Sequence, residues 1–295
     1  MTNTYLVWLE WPEKCFRASA GALALLRDLA PKGSRVVRAK TESGFLRALP
    51  SATHVITWHF KKEWFVKAPR LKLLATPAAG RELLPKEGPE GVTIHFGGFH
   101  GAAMAESVLA LMLAWCRGVV AAERLGPWPK LKLAERCYRL AGTHAVILGY
   151  GKIGRAIGDR LSALGVKVSG IRRGNFGDLA VAAKTADWLV CVLPGDTGTT
   201  DIVDARLLSM LPKRCVVLNV GRGNAIDEVA LAAALKEGRI AAALLDVWKR
   251  EPLTSASPLG RDDVPNLVRM PHSAAFHPGY VADCFRELAD EGLLA

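Results

Sequence analysis

The stretch His144-Ala-Val-Ile-Leu-Gly-Tyr-Gly-Lys-Ile-Gly-Arg-Ala-Ile-Gly158 decides the fold of this chain. Its apolar run at 145–148 predicts a buried strand, and the apolar spacing after residue 154 predicts a helix. The glycines between them would allow a tight turn and close approach of a pyrophosphate, with helix N–H groups facing the phosphates. This glycine pattern is weak by itself, but a second predicted strand at 166–171 makes it specific. We therefore predict a dinucleotide site at Gly149, Tyr150, Gly151, Lys152, Ile153 and Gly154.

The end of the strand at 166–171 indicates which dinucleotide binds. Sites for NAD usually place an acidic residue about 20 positions past the glycines, where it holds the ribose 2′-hydroxyl. This chain has Arg172 and Arg173 there instead, and guanidinium groups match a 2′-phosphate. The alternative interpretation is a solvated basic loop. Because Arg172 falls where the acid is expected, we predict NADP(H) as the cofactor, with NAD possible.

The composition of the 295 residues favours a globular protein of two domains. The longest apolar stretch, 108–122, contains Arg117 and is too short to cross a bilayer, so no membrane partner is expected. Residues 1–13 contain no basic leader, so no signal peptide is expected. The six cysteines are scattered without a Cys-x-x-Cys pair, which indicates reduced thiols in a cytoplasmic protein and no metal site.

The net charge of +11 favours anionic partners, such as a phosphorylated cofactor or a carboxylate substrate. Nucleic acid is a third class of anionic partner, but the basic residues are spread along the chain without a run. We therefore expect a small carboxylate substrate and no nucleic acid.

Short strands alternate with helical segments along the chain, which predicts an α/β fold with two parallel sheets. Residues 1–99 are predicted to form a flavodoxin-like substrate-binding domain, which a C-terminal helical segment, 276–295, completes. Residues 100–275 are predicted to form an inserted Rossmann NAD(P)-binding domain, which opens with one long helix at 102–122. The predicted strands are 4–11, 35–39, 53–58, 71–75 and 92–96 in the first domain, and 145–148, 166–171, 188–193, 216–220, 243–247 and 267–270 in the second.

Three polar residues follow predicted strands, at the sheet edge where ligands of open α/β folds bind. Arg222 lies in Gly-Arg-Gly, where its guanidinium could bind a carboxylate and polarise a carbonyl. Glu251 and His272 follow later strands, and a histidine beside a carboxylate is the usual acid/base pair near neutral pH. Each residue alone is more often structural, but their joint occurrence favours catalysis. Trp58 is a candidate for lining the substrate pocket, although a large aromatic side chain is more often in the core.

Several short motifs point to one family of enzymes. They are Gly149–Gly154, Leu193-Pro194 with Thr199, Asn219–Gly223, Leu245-Asp246-Val247, Glu251-Pro252 and Pro271-His272. With these motifs the chain resembles the D-isomer-specific 2-hydroxyacid dehydrogenase family, which includes glyoxylate and hydroxypyruvate reductases, phosphoglycerate dehydrogenases and D-lactate dehydrogenases. The resemblance covers nearly the whole chain and is closest between residues 149 and 272.

The resemblance implies a role for each matching residue. Arg222 would bind the substrate carboxylate and carbonyl, His272 would be the acid/base, and Glu251 would pair with His272. Backbone amides of a small-residue loop would bind the substrate carboxylate, and the subunits would form a homodimer through the long helix. The matching loop residues are Ala78, Ala79 and Gly80. Further cofactor contacts are implied for Leu193, Pro194, Thr199, Val220, Gly221 and Asp246, the last with the nicotinamide carboxamide.

These features predict a 2-ketoacid reductase of the glyoxylate/hydroxypyruvate type that moves a hydride between NADPH and a small 2-oxo acid. The alternative is a non-catalytic scaffold that senses the dinucleotide, since a fold does not determine a function. The presence of Arg222, Glu251 and His272 together argues against that alternative. Pro77, which lacks an N–H, and Phe276 depart from the family pattern and leave the identity of the acid open.

Overall fold

The computed structural model describes residues 2–295, apart from the side chain of Arg173. The chain divides into two compact units. Unit 1 comprises the chain up to His100 together with Phe276–Ala295, and unit 2 comprises Gly101–Ala275. Each unit contains one parallel sheet, so the predicted α/β class with two parallel sheets is confirmed.

The strands and helices alternate along the chain in both units. The strands are β1 (Thr4–Trp8), β2 (Arg35–Arg38), β3 (His54–Thr57), β4 (Leu73–Thr76), β5 (Thr93–Phe96), β6 (His144–Leu148), β7 (Lys167–Ile171), β8 (Trp188–Cys191), β9 (Val216–Asn219), β10 (Ala242–Leu245) and β11 (Leu267–Arg269). The helices are α1 (Ala20–Leu29), α2 (Glu42–Ala48), α3 (Gly101–Cys116), α4 (Val119–Leu125), α5 (Lys130–Ala134), α6 (Lys152–Ala163), α7 (Leu179–Ala183), α8 (Ala205–Met210), α9 (Glu228–Lys236) and α10 (Tyr280–Asp290). The sheet order is β2-β1-β3-β4-β5 in unit 1 and β11-β10-β9-β8-β6-β7 in unit 2.

The sheet of unit 1 has its most deeply buried strands, β3 and β4, away from its edges. β3 and β4 are buried along their whole length, as expected for parallel strands that are covered on both faces. α1 begins after Ser19, whose hydroxyl accepts the Ala22 N–H and caps the helix. β1 ends at Trp8, earlier than predicted, because the chain turns away there and the Leu9 carbonyl accepts the Ala18 N–H.

In unit 2, β6 divides its side chains between two apolar layers. Ala145 and Ile147 contribute to a layer that includes residues of α3 and α6. Val146 and Leu148 contribute to a second layer, which includes residues of α8 and α9. This alternation follows from the period of two along a strand. Helices therefore cover both faces of the sheet, and the carboxyl ends of its parallel strands meet at one edge.

The helix predicted at 102–122 is two helices, so that prediction is wrong. α3 ends at Cys116, and α4 follows after a bend of 52°. Gly118 between them has φ +73°, and a Cβ atom there would lie 2.8 Å from Cys137 Sγ. The Tyr138 N–H binds the Cys116 carbonyl at 2.9 Å. The break therefore depends on contacts with a later segment of the chain.

α3 contributes buried side chains to unit 2, among them Ala105, Val108 and Met112. Within residues 2–295, no single helix is long and apolar enough to cross a membrane. α3 and α4 meet that test only together, as a bent pair, by length and composition.

Candidate active site

The turn after β6 has the geometry that the glycine pattern predicts. Gly149 has φ +96°, and a Cβ atom there would lie 2.5 Å from the Val192 carbonyl oxygen, so a larger residue would collide. Gly151 faces open space, and no side chain caps the start of α6 at Lys152. Because Gly151 is the N-cap residue and has no side chain, no N-cap side chain competes for the first N–H groups of α6. These features fit the pyrophosphate of a dinucleotide.

A cavity of about 420 Å³ lies beside this turn. Its charged residues are Arg155, in the first turn of α6, and Arg172, directly after β7. Nε of Arg172 donates to the Tyr150 carbonyl at 3.1 Å, which anchors this guanidinium at the turn. Two guanidinium groups beside the start of a helix suit a phosphorylated dinucleotide. The other lining residues are Gly149, Tyr150, Gly151, Phe176, Val192, Leu193, Pro194 and Thr199.

Several predicted cofactor residues lie outside the wall of this cavity. They are Lys152, Ile153, Gly154, Val220, Gly221 and Asp246. Thr199 lines the cavity, but its hydroxyl donates to the Pro194 carbonyl at 2.6 Å and closes the loop after β8. Arg173 begins a 3-10 turn, and its side chain lies outside the described residues. The contacts of these residues with a cofactor stay predictions.

His272 and Glu251 form a hydrogen-bonded pair in unit 2. Nδ1 of His272 lies 2.7 Å from Oε2 of Glu251, and the two side chains are 48% and 36% exposed. When Nδ1–H donates to the carboxylate, Nε2 is the ring nitrogen at which a proton can be transferred. The structure therefore brings together the histidine and the carboxylate that the sequence predicts as a pair.

The backbone of His272 adopts φ +54°, which is uncommon for a residue other than glycine. Asp246, directly after β10, holds it there. The His272 N–H donates to the Asp246 carbonyl at 2.8 Å, and the Asp246 carboxylate accepts the N–H groups of Ser273 and Ala274 at 2.8 and 2.9 Å. Such conformations persist where the surroundings impose them, often at functional sites. Asp246 thus positions His272, and its contact with the nicotinamide stays a prediction.

Arg222 follows β9 in a turn that Asn219 stabilises. The Asn219 side-chain amide donates to the Arg222 carbonyl at 2.9 Å.

The pKa of the Glu251 carboxyl depends on several neighbours. Partial burial by itself would raise this pKa. The hydrogen bond and charge of His272, the Trp248 N–H and the charge of Arg222 outweigh that effect, and the pKa lies below its usual range. Glu251 is therefore ionised at neutral pH, and Arg222 is close enough to act on it electrostatically.

In unit 1, the segment after β4 contains three predicted substrate-binding residues, Ala78, Ala79 and Gly80. The Ala78 N–H donates to Thr76 Oγ1 at 3.2 Å, so it is engaged within the turn. Trp58 is 6% exposed and donates Nε1–H to the Phe16 carbonyl at 3.1 Å, so it packs inside unit 1. The substrate contacts of these four residues stay predictions.

The arrangement in unit 2 combines three kinds of chemical group. It contains a turn and a cavity that suit a dinucleotide, a hydrogen-bonded histidine and carboxylate, and a guanidinium near them. Within residues 2–295, no three His, Cys, Asp or Glu side chains lie together so that they could hold a metal ion. The guanidinium groups and the glycine turn can bind anions, and the histidine can transfer a proton.

Residues 109–274 match the family model described as "D-isomer specific 2-hydroxyacid dehydrogenase, NAD binding domain". This match covers more than half of the chain. The chain belongs to the D-isomer-specific 2-hydroxyacid dehydrogenase family. The matched segment contains the glycine turn, Arg222, Glu251 and His272. The predicted family is thus confirmed.

Relatives of known name support the same family. The chain is 32% identical to a glycerate dehydrogenase from Methylorubrum extorquens over 70% of each protein. It is 31% identical to a glyoxylate reductase from Thermofilum pendens, over 70% of this chain and 67% of the relative. A family member of solved structure from Aeromonas salmonicida is 26% identical, with a TM-score of 0.77 over 99% of this chain and 96% of that one. As a D-isomer-specific 2-hydroxyacid dehydrogenase, the protein is an NAD(P)-dependent oxidoreductase, as predicted.

In this dehydrogenase, Glu228 supports the loop that carries Glu251, although no sequence motif singles it out. Glu228 is 8% exposed, and its carboxylate accepts the Lys249 N–H at 2.9 Å and the Ser257 hydroxyl at 2.7 Å. The carboxylate thereby ties together both sides of the loop around Glu251. Glu228 is the first residue of a helix and directly follows the N-cap residue Asp227, a position where acidic residues are common. The sequence therefore contains no separate signal for its bonds to Lys249 and Ser257.

Proposed function

We propose that this dehydrogenase reduces a small 2-oxo acid with NADPH, as a ketoacid reductase of the glyoxylate/hydroxypyruvate type. The observation that carries the proposal is the His272–Glu251 pair at 2.7 Å, within electrostatic reach of Arg222. The names of the relatives from Methylorubrum and Thermofilum support this class of substrate. A family member from Xanthobacter autotrophicus, 26% identical with a TM-score of 0.76 over 97% of this chain and 96% of that one, was solved with NADPH. In this proposal unit 2 binds the cofactor and unit 1 contributes to substrate binding.

The chemistry divides among three side chains. Bound NADPH supplies the hydride that reduces the carbonyl carbon. His272 holds a proton at Nε2 and donates it to the carbonyl oxygen as negative charge develops there. Glu251 orients the ring through Nδ1 and stabilises the imidazolium. Arg222 binds the substrate carboxylate and stabilises the charge on the carbonyl oxygen.

The direct test is a screen of the purified protein with NADPH against glyoxylate, hydroxypyruvate, pyruvate and phenylpyruvate. The loss of NADPH absorbance reports turnover, and we expect the highest kcat/KM with one of the smaller acids. Tight binding of NADPH without turnover of any 2-oxo acid would instead favour a non-catalytic dinucleotide sensor.

We expect kcat/KM with NADPH to exceed that with NADH by at least about tenfold, which corresponds to about 1.4 kcal/mol. Arg172 lines the cavity beside the glycine turn, at the position where an NAD site carries an acid. Arg172→Asp should therefore erode or reverse the preference, as measured by initial rates with both cofactors. Arg160→Gln is the matched control, because Arg160 is an α6 arginine outside the cavity wall that donates to the Ala156 carbonyl. Equal efficiency with both cofactors in the unmodified protein would contradict this assignment.

We also propose that the protein is a cytoplasmic homodimer. Large apolar side chains are exposed on the single chain between α3 and α5, namely Leu113, Val119, Trp128 and Leu131. Covering such a surface contributes about 25 cal/mol per Å². Light scattering should give about twice the chain mass of 31.8 kDa, and Leu131→Glu should lower that value. A single-chain mass for the unmodified protein at micromolar concentration would contradict the proposal.

A further inference from the structure

The aromatic ring of Tyr150 packs directly on the backbone of two elements of unit 2. A Cβ atom at Gly170, in β7, would lie 2.2 Å from Cγ of Tyr150. A Cβ atom at Gly158, in α6, would lie 2.7 Å from the Tyr150 hydroxyl oxygen. Neither position tolerates a side chain while the ring stays in place. The ring is therefore seated in a space that exists because both neighbours are glycine.

The backbone of Tyr150 makes two hydrogen bonds with residues at the end of β7. Its N–H donates to the Ile171 carbonyl at 3.1 Å, at the end of β7. Its own carbonyl accepts Nε–H of Arg172 at 3.1 Å. One residue thus connects the glycine turn, the end of β7 and the arginine that lines the cavity.

The bond from Nε holds one part of the Arg172 guanidinium at the glycine turn. Arginine carries five N–H donors in a planar fork, and one of them is used on the Tyr150 carbonyl. The two Nη groups form the end of the fork, an edge distinct from the Nε–H, and this edge matches two oxygens of a phosphate. A guanidinium that is already ordered loses less conformational entropy when the phosphate binds.

We propose that Tyr150 is a positioning residue for cofactor selectivity. Its ring holds the peptide whose carbonyl orients Arg172 toward the 2′-phosphate of NADPH. This inference rests on the proposed preference for NADPH. Tyr150 acts through Arg172, so it contributes to the discrimination between NADPH and NADH more than to the binding of the parts that both cofactors share.

Binding measured by calorimetry tests this role without turnover. Tyr150→Ala should raise the Kd for NADPH by about three- to tenfold, the effect of losing one ordered side chain, and should raise the Kd for NADH less than about twofold. Tyr150→Phe retains the ring on Gly158 and Gly170, so it should keep the ratio of the two Kd values of the unmodified protein. An equal loss of affinity for both cofactors in Tyr150→Ala would show a merely structural role in the turn and would overturn the inference.

A second variant displaces the ring without removing it. Gly170→Ala places a Cβ atom against the Tyr150 ring, so it should lower NADPH selectivity as Tyr150→Ala does. The double variant, Tyr150→Ala with Gly170→Ala, has no ring for the new Cβ atom to meet. Its loss of NADPH selectivity should therefore be smaller than the sum of the losses in the two single variants. Additive effects in this cycle would also overturn the inference. Circular dichroism of all four variants identifies any that fail to fold. If Gly170→Ala does not fold, the double variant is compared with Tyr150→Ala instead, and a selectivity well below that of Tyr150→Ala would also overturn the inference.

The Kd values of the unmodified protein distinguish a failure of the proposed NADPH preference from a failure of the inference about Tyr150. A ratio of Kd values near one for NADH and NADPH would reject the proposed cofactor preference, and this inference with it. A clear preference for NADPH that Tyr150→Ala leaves unchanged would reject the inference about Tyr150 alone.

Discussion

Replacing His272 by alanine is expected to lower kcat for reduction of the best 2-oxo acid by about two to four orders of magnitude. The carbonyl oxygen then loses its proton donor, because Nε2 is the transferable position once Nδ1 is paired with Glu251 at 2.7 Å. The glycine turn and the two arginines of the cavity are separate residues. The Kd for NADPH, measured by calorimetry, should therefore stay unchanged while kcat falls.

His277 provides the matched control for this variant. It is the next histidine along the chain, and its Nε2 lies 3.7 Å from the Asp283 carboxylate in unit 1. His277→Ala should retain the turnover of the unmodified protein. Full activity of His272→Ala, together with loss of activity in His277→Ala, would show that His277 and not His272 is the proton donor.

Glu251→Gln tests the partner of the same histidine through the pH profile. The substitution keeps the shape of the side chain but removes the anion that stabilises the His272 imidazolium. The upper pH limit of kcat/KM for reduction should therefore move to lower pH, since the proton is then lost more readily. In the unmodified protein the pKa of Glu251 is lowered. The carboxylate therefore stays ionised throughout the pH range in which glutamate usually titrates, and it is protonated only when the pH falls through the lowered pKa. An unchanged upper limit would contradict the pairing.

The dinucleotide turn could be predicted because its geometry is determined locally. A strand, a glycine with positive φ and an uncapped helix start lie within a few residues of one another, and each leaves a sequence signal. The carboxyl ends of parallel strands lie at one edge, so the residues that follow β9, β10 and β11 could be expected near each other. The pairing of His272 with Glu251 is one result of that topology.

The remaining features depend on contacts that sequence spacing does not reveal. The break between α3 and α4 requires Cys137 and Tyr138, which come from a later segment. The buried carboxylates of Asp246 and Glu228 each bind backbone N–H groups distant in sequence, so their residue types alone predict no particular partner. Arg155 follows the glycine turn directly, but only the structure includes it in the cavity wall.

Replacing Arg222 by alanine is expected to lower kcat by about two to three orders of magnitude and to raise the KM for the 2-oxo acid. Both constants should change, because one guanidinium would bind the substrate carboxylate and stabilise the charge that develops on the carbonyl oxygen. Arg222→Lys keeps the charge but loses the planar fork, so it should restore only part of kcat/KM. Steady-state kinetics of the three proteins at saturating NADPH measure these effects.

Arg250 is the control that separates this role from a general effect of positive charge. It is exposed and directly precedes Glu251, so Arg250→Ala removes one charge from the same loop and should leave kcat/KM unchanged. Arg222 also lowers the pKa of Glu251, so its removal should raise that pKa toward the usual range and move the acid limit of activity to higher pH. Arg222→Lys should keep more of the original limit, because it keeps the charge. Unchanged kinetics and an unchanged acid limit in Arg222→Ala would exclude Arg222 from the chemical step.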